Sequence, residues 1–162
     1  MPDAPLPLFS IDTSSLINSW NRLYQIDILP SIWEHLEAML EAGRAVITIQ
    51  VYHEIERQDD ALLAWCKDRK EHFRDIDETH IDRLQGIMAR HPEIAAVGSG
   101  RNYADPWVIA LAQCFDPPCA VVTEEGRGKA TNPKIPYICE QERLRSCTFN
   151  AFLRETGWSE IR

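Results

Sequence analysis

Five acidic side chains stand beside short apolar segments that are spread along the chain. They are Asp12, Glu54, Asp105, Glu124 and Glu125. Carboxylates that are brought together repel one another unless they are protonated or share a cation. Mg²⁺ and Mn²⁺ accept oxygen ligands and keep several waters, and such an ion can activate water for attack on a phosphodiester. The residue types therefore permit metal-dependent phosphodiester hydrolysis, although their spacing alone does not require it.

The apolar segments predict short buried strands. The predicted strands comprise residues 7–12, 45–48, 119–123 and 135–138. Each is a brief run of apolar residues next to turn-forming or charged residues, which is typical of a strand covered on both faces. Asp12 closes the first of these strands, and Glu124 directly follows the third.

Helical patterns lie between these strands. Ser31 and Glu34 form a capping box, and apolar residues then recur at helical spacing until Gly43. Thr48 can cap the next helix, which carries Glu54 on its second turn. Further helices are predicted from Asp59 or Asp60, from Thr79, from Pro106 in a permitted first turn, and over 149–156.

Strands that alternate with helices indicate an α/β fold with a mostly parallel sheet between two helical layers. No linker or repeat divides the 162 residues, so a single domain over 1–162 is expected. Ligands of open parallel sheets bind at the carboxyl ends of the strands. Because the acids lie at such ends, or on helices that begin near them, they could return to one edge of the sheet.

The charge balance favours a cation site over general attraction to nucleic acid. Acidic residues number 25 against 17 basic ones, which gives a formal net charge of −8. Any nucleic-acid partner would therefore need a local basic surface or bound cations. The five cysteines form no C-x-x-C pair, and the sequence lacks a membrane-length apolar run and a basic signal-like start. We therefore expect free thiols and a cytoplasmic protein with no membrane partner.

Four segments, taken in order, resemble the motifs of the PIN-domain family of metal-dependent ribonucleases. The segments are 9–17, 48–55, 102–110 and 121–125, and they carry Asp12, Glu54, Asp105 and Glu125 in the acid positions. The fourth motif departs from the family because Glu125 stands where an aspartate is usual. The similarity extends over about residues 8 to 140. Segments 31–34 and 135–139 resemble a subfamily of PIN-like toxins that is often found beside antitoxin genes.

The resemblance implies a three-layer α/β/α fold, dependence on Mg²⁺ or Mn²⁺, and RNA as the substrate. It further implies the toxin of a bacterial toxin–antitoxin pair, an antitoxin partner and a possible homodimer with Trp33 or Trp65 as a contact. The implied ligands are Asp12, Glu54, Asp105 and Glu125, with Glu124 competing for the fourth place. Ser14 and Thr123 would orient carboxylates or bound water. The candidate phosphate-binding residues are Arg101, Arg127 and Lys129.

Each acid also has a plainer interpretation. Asp12 or Asp105 could cap a helix, Glu54 could be a solvated acid paired with Arg57 or Gln58, and Glu124 and Glu125 could be ordinary loop acids. Two other functions remain open at this point. An aspartate-nucleophile phosphatase needs a second acid where Ser14 stands. A degenerate PIN domain would bind RNA or a protein without cleaving it.

Overall fold

The computed structural model describes residues 8–58, 60–97 and 103–159. Within these residues, five strands form a parallel sheet in the order β3-β2-β1-β4-β7. The strands of the sheet are β1 (Phe9–Ile11), β2 (Ala45–Thr48), β3 (Phe73–Arg74), β4 (Ala120–Val122) and β7 (Ser146–Cys147). A separate antiparallel hairpin is formed by β5 (Gly128–Lys129) and β6 (Asn132–Pro133). The parallel sheet and its helices confirm the predicted α/β fold class.

Helices follow most of the strands. They are α1 (Thr13–Asn18), α2 (Pro30–Glu41), α3 (Ile49–Glu56), α4 (Asp60–Lys67), α5 (Glu78–Arg90), α6 (Pro92–Val97), α7 (Asp105–Ala112), α8 (Ile135–Gln141) and α9 (Phe149–Glu155). A π-helical turn (Ser19–Leu23) follows α1, and a 3-10 turn (Lys70–His72) precedes β3.

The alternation of side chains along β1 shows that both faces of the sheet are covered. The Phe9 ring packs edge-on against Phe152 of α9, with the ring centroids 5.1 Å apart. The Ser10 hydroxyl instead donates to the Val108 carbonyl of α7 over 2.9 Å. Because successive residues of a strand point to opposite faces, α9 and α7 lie on opposite sides of the sheet. This is the three-layer α/β/α arrangement.

The structure corrects two predicted elements. Residues 135–138 begin the helix α8 and do not form a strand, since Pro136 occupies the first turn, where its missing N–H costs nothing. Helix α2 begins at Pro30, one residue before the predicted cap Ser31, and Leu29 takes the N-cap position without a side-chain bond. Short apolar runs do not distinguish a buried strand from a buried helix, which explains the first error.

The two tryptophans considered as dimer contacts belong to the core. Trp33 and Trp65 are buried, and their rings meet edge-on with centroids 5.2 Å apart. The Trp20 ring also meets Trp33 edge-on, with the ring centroids 4.9 Å apart. Indole rings enclosed in this way have no surface to offer a second copy. None of the helices in the described part of the chain combines the length and apolar character needed to cross a bilayer.

Candidate metal centre

The centre begins where two neighbouring strands end. Ile11 of β1 is paired with Val122 of β4, and the Asp12 amide donates to the Val122 carbonyl over 2.9 Å. The next residues, Asp12 and Thr123, are therefore side by side at the carboxyl edge of the sheet. This is the edge at which parallel α/β sheets bind ligands.

The Asp12 carboxylate is held through one oxygen only. Its Oδ2 accepts hydrogen bonds from the Ser14 hydroxyl at 2.5 Å and from the Thr123 hydroxyl at 3.0 Å. Its Oδ1 is buried and has no hydrogen-bond partner. Asp12 occupies the N-cap position of α1, but its side chain makes no capping bond, so the capping interpretation does not explain this residue. Ser14 and Thr123 orient the carboxylate as the resemblance implies, and they leave one buried oxygen free for a ligand.

Two further acids complete a cluster with Asp12. Asp12, Asp105 and Glu125 each offer a carboxylate oxygen, and these oxygens all lie within 4.8 Å of one another. Asp105 is buried at the first position of α7, so it does not cap that helix; Ala104 takes the N-cap position. Glu125 is fixed through its Oε2, which accepts from the Ile135 amide over 3.2 Å. The acid triad is therefore assembled from three separate elements of the fold.

Glu54 supports this triad from α3. It is 4% exposed, which rules out the interpretation of a solvated helix acid. Its Oε2 accepts from the Ala104 amide over 3.0 Å, next to Asp105. The Tyr103 hydroxyl donates to the Gln50 carbonyl over 3.2 Å, so a second contact joins this segment to α3. Glu54 therefore fixes the backbone from which Asp105 projects, while also lining the same pocket.

Glu124 is directed elsewhere. Its Oε1 accepts from the Phe149 amide over 2.8 Å, at the first turn of α9. Its own amide donates to the Ser14 hydroxyl over 3.1 Å. The structure therefore brings Glu125 into the triad and assigns Glu124 to the start of a helix, where the free N–H groups favour a carboxylate.

Burial and mutual repulsion raise the pKa values of Asp12, Glu54 and Asp105. Desolvation raises the pKa of Asp12, and the Glu125 charge adds to this rise, while the bonds from Ser14 and Thr123 and the adjacent Thr13 backbone amide oppose it. Desolvation also raises the pKa of Asp105, with further contributions from Asp12, Glu125 and Glu54. Burial raises the pKa of Glu54 to about 7, although the Ala104 amide opposes the rise. Without a cation, these carboxylates are therefore costly to ionise together.

The acids line a small pocket that is suited to a hard cation. The pocket has a volume of about 180 Å³ and is lined by Asp12, Thr13, Ser14, Ile17, Asn18, Glu54, Gln58, Asp105 and Glu125. The charged side chains that line it are carboxylates, which are the donors that divalent hard cations prefer. The unpartnered Oδ1 of Asp12 is the atom that such a cation would satisfy. The residues present therefore fit a divalent metal ion.

The predicted phosphate-binding residues are less well placed. Arg127 is exposed, and its Nε donates to Glu140 over 2.8 Å. Lys129 is exposed in the β5–β6 hairpin. Arg101 lies outside the described residues. Lys134, which precedes α8, is close enough to Asp105 for its ammonium charge to oppose the rise in the pKa of that acid.

Comparison with known families shows to which family the chain belongs. A family model described as "Domain of unknown function (DUF4411)" matches residues 9–160. The chain belongs to the DUF4411 family. The DUF4411 match includes Asp12, Asp105 and Glu125, and therefore the whole acid triad. Comparison of this DUF4411 protein with curated proteins gave no match, and comparison with solved structures gave none either.

Sequence reasoning missed three residues at this centre of the DUF4411 protein, namely Asn18, Gln58 and Lys134. Asn18 and Gln58 line the pocket four residues after Ser14 and Glu54, respectively. That spacing places each of them one helical turn beyond a predicted site residue, so it could have identified them. Lys134 is the N-cap residue of α8. Its position near Asp105 could not be anticipated, because residues 135–138 were predicted to form a strand.

The two adjacent glutamates are expected to respond differently to truncation. Glu125→Ala should weaken Mn²⁺ binding by about 10-fold or more, because it removes a carboxylate from the triad. Glu124→Ala should lower the free energy of unfolding by about 1 kcal/mol, because it removes the partner of the Phe149 amide. Its Mn²⁺ affinity should stay close to that of the wild type. Calorimetric Mn²⁺ titration and urea unfolding of both variants measure these effects, and the reverse pattern would exchange the two roles.

Proposed function

We propose that this protein is a Mg²⁺- or Mn²⁺-dependent endoribonuclease with a PIN-like fold. The observation that supports this most strongly is the buried Oδ1 of Asp12, which has no protein partner and belongs to a cluster with Asp105 and Glu125. A buried carboxylate oxygen without a partner is costly unless a ligand satisfies it. The order of the four acidic motifs along the chain supports the ribonuclease class.

In this proposal the protein's own residues hold the ligands in place. Ser14 and Thr123 fix one oxygen of Asp12, so that the other would be left to hold the cation. Glu54 fixes Ala104 and thereby the start of α7, and the Ile135 amide fixes Glu125. When bound, the divalent ion supplies a Lewis acid that activates water and stabilises the leaving oxygen of the phosphodiester.

The charge of the pocket explains why the reaction would need the cation for binding as well as for chemistry. Four carboxylates line the pocket, so an RNA phosphate would be repelled from it in the absence of metal. A divalent ion offsets this repulsion, and the nearby Lys134 ammonium contributes positive charge on the side of Asp105. We propose Arg127 and Lys129 as more distant phosphate contacts. Arg127 would have to exchange its pairing with Glu140 for the phosphate.

The biological part of the proposal rests on the resemblance to PIN-like toxins. In that setting the protein would act in the cytoplasm as the toxin of a bacterial toxin–antitoxin pair, bound by an antitoxin between periods of activity. Homodimer formation belongs to the same proposal and can be measured by analytical ultracentrifugation. Induced expression should arrest growth, and co-expression of the neighbouring gene product should relieve the arrest. Growth that is unaffected by an enzyme active in vitro would contradict the toxin role.

The test of the proposed activity is cleavage of end-labelled single-stranded RNA by the purified protein. We expect cleavage with Mn²⁺ or Mg²⁺, complete loss with EDTA, and recovery when the metal is restored. Glu124→Ala is the matched control, because it removes a neighbouring carboxylate outside the triad. Calorimetric Mn²⁺ binding without cleavage of any RNA would contradict the nuclease and favour a binding module. Absence of Mn²⁺ binding would contradict the metal centre itself.

A further inference from the structure

Two neutral amide side chains stand on the walls of the acid pocket. Asn18 is the last residue of α1, and Gln58 lies two residues beyond the end of α3. Asn18 follows Ser14 by four positions within α1, and Gln58 follows Glu54 by four positions in the turn that ends α3. Helices α1 and α3 pack against each other. The two amides therefore line this pocket from two adjacent walls.

Exposure separates these amides from the acids that they accompany. Asp12, Glu54 and Asp105 are buried, with exposed fractions of 1%, 4% and 5%. Asn18 is half-buried and Gln58 is exposed. These three acids therefore form the floor of the pocket. Asn18 and Gln58 lie nearer its mouth, as does the half-buried Glu125, and the two amides form the neutral part of the rim.

The position of the acids determines which part of a nucleotide would lie at this rim. The carboxylates at the floor would hold the proposed cation, and the phosphate to be cut would have to lie beside that cation. The nucleobase attached to this phosphate would then extend outward, to the level of Asn18 and Gln58.

The chemistry of the rim suits the recognition of a base. An amide group offers both a donor and an acceptor, and it can pair with the edge of a nucleobase through two hydrogen bonds. Being neutral, it adds nothing to the repulsion between the acids and a phosphate. Base edges are accessible in this way in single-stranded RNA, where they are neither paired nor stacked within a duplex.

We propose that Asn18 and Gln58 select the nucleobase next to the scissile phosphate of a single-stranded RNA. This assignment rests on the proposed ribonuclease function, and it adds a recognition role for residues outside the acidic motifs. Asn18 and Gln58 are specificity residues, which act on the choice of the cut site through contact with the base.

The experiment is sequencing of the products that are cut from a random pool of single-stranded RNA in the presence of Mn²⁺. The wild-type protein should prefer a base at one position beside the cut. Asn18→Ala and Gln58→Ala should each reduce that preference by about 10-fold. Gln85→Ala should leave the preference unchanged, because Gln85 is exposed on α5 and outside the pocket lining. Calorimetric Mn²⁺ titration of the same variants should give the wild-type affinity.

Three results would overturn this inference. If the wild type cleaves and both variants keep its base preference, or if the wild type has no preference, the amides do not read the base. If either variant binds Mn²⁺ more weakly than the wild type, its amide acts on the cation and not on the base. If the wild type binds Mn²⁺ but leaves the whole pool uncut, the ribonuclease proposal fails together with this one, so the two failures are distinguishable.

Discussion

Replacement of Asp12 by asparagine is expected to remove most of the affinity for Mn²⁺ and, with it, the cleavage of RNA. The two oxygens of Asp12 have different tasks. Oδ2 accepts from two hydroxyl groups, and Oδ1 is buried without a partner. An asparagine can place an oxygen on only one of these sides. It must turn its NH₂ group either toward the cation or toward Ser14 and Thr123, and it also removes one negative charge from the triad.

The expected loss is about 100-fold or more in Mn²⁺ affinity, because even residues that only orient a ligand contribute 10- to 100-fold. Ser14→Ala should fall within that smaller range, since it removes one of the two bonds to Oδ2 and keeps the carboxylate. Asp27→Asn is the matched control, because it makes the same chemical change on an exposed turn. Calorimetry and end-labelled RNA cleavage provide the measurements, with circular dichroism to verify folding. A folded Asp12→Asn protein with wild-type Mn²⁺ affinity would remove Asp12 from the metal centre.

Three of the five strands of the sheet, and the acids that follow two of them, could be predicted from local sequence because each depends on short-range patterns. The edge strands β3 and β7 have only two residues each and lack such a pattern. The apolar runs around Phe9–Ile11, Ala45–Thr48 and Ala120–Val122 are too short for helices and are bounded by polar residues. Once the strands are parallel, their carboxyl ends share one edge, so Asp12 and Glu125 must come close. Asp105 required more, because its place depends on how α7 crosses the sheet.

The choice between Glu124 and Glu125 could not be made from the sequence. Both residues lie in the irregular segment after β4, where the Thr123 hydroxyl accepts from the Glu125 amide over 3.1 Å, so the alternation of side chains along a strand does not extend to them. Only the contacts of the folded chain bring Glu125 into the triad and direct Glu124 to the Phe149 amide. The role of Glu54 could not be obtained from the sequence either. Its burial depends on contact with Ala104, fifty residues away, and no local pattern distinguishes it from a solvated helix acid.

The metal-free protein should become more stable when Asp105 is replaced by asparagine, although the proposed metal-dependent activity should be lost. Burial raises the pKa of Asp105, and the charges of Asp12, Glu125 and Glu54 raise it further. The unfolded chain releases this proton near the ordinary value of about 4. Between that value and the raised pKa of the folded state, the native protein binds more protons than the unfolded one. Its stability therefore falls as the pH rises through this interval.

Asp105→Asn removes this proton linkage and part of the repulsion within the triad. We expect its melting temperature in EDTA at pH 8 to exceed that of the wild type by about 5 °C, and this difference to shrink toward pH 5.

Mn²⁺ at about 100 times its dissociation constant should stabilise the wild type by about 2.7 kcal/mol. The variant, which lacks one of the proposed ligands, should gain little, so added metal should narrow or reverse the difference in melting temperature. Thermal melts at pH 5 and pH 8, with EDTA and with Mn²⁺, test the whole argument. If the variant melts at or below the wild-type temperature in EDTA at pH 8, then burial and charge repulsion at Asp105 do not destabilise the metal-free folded protein.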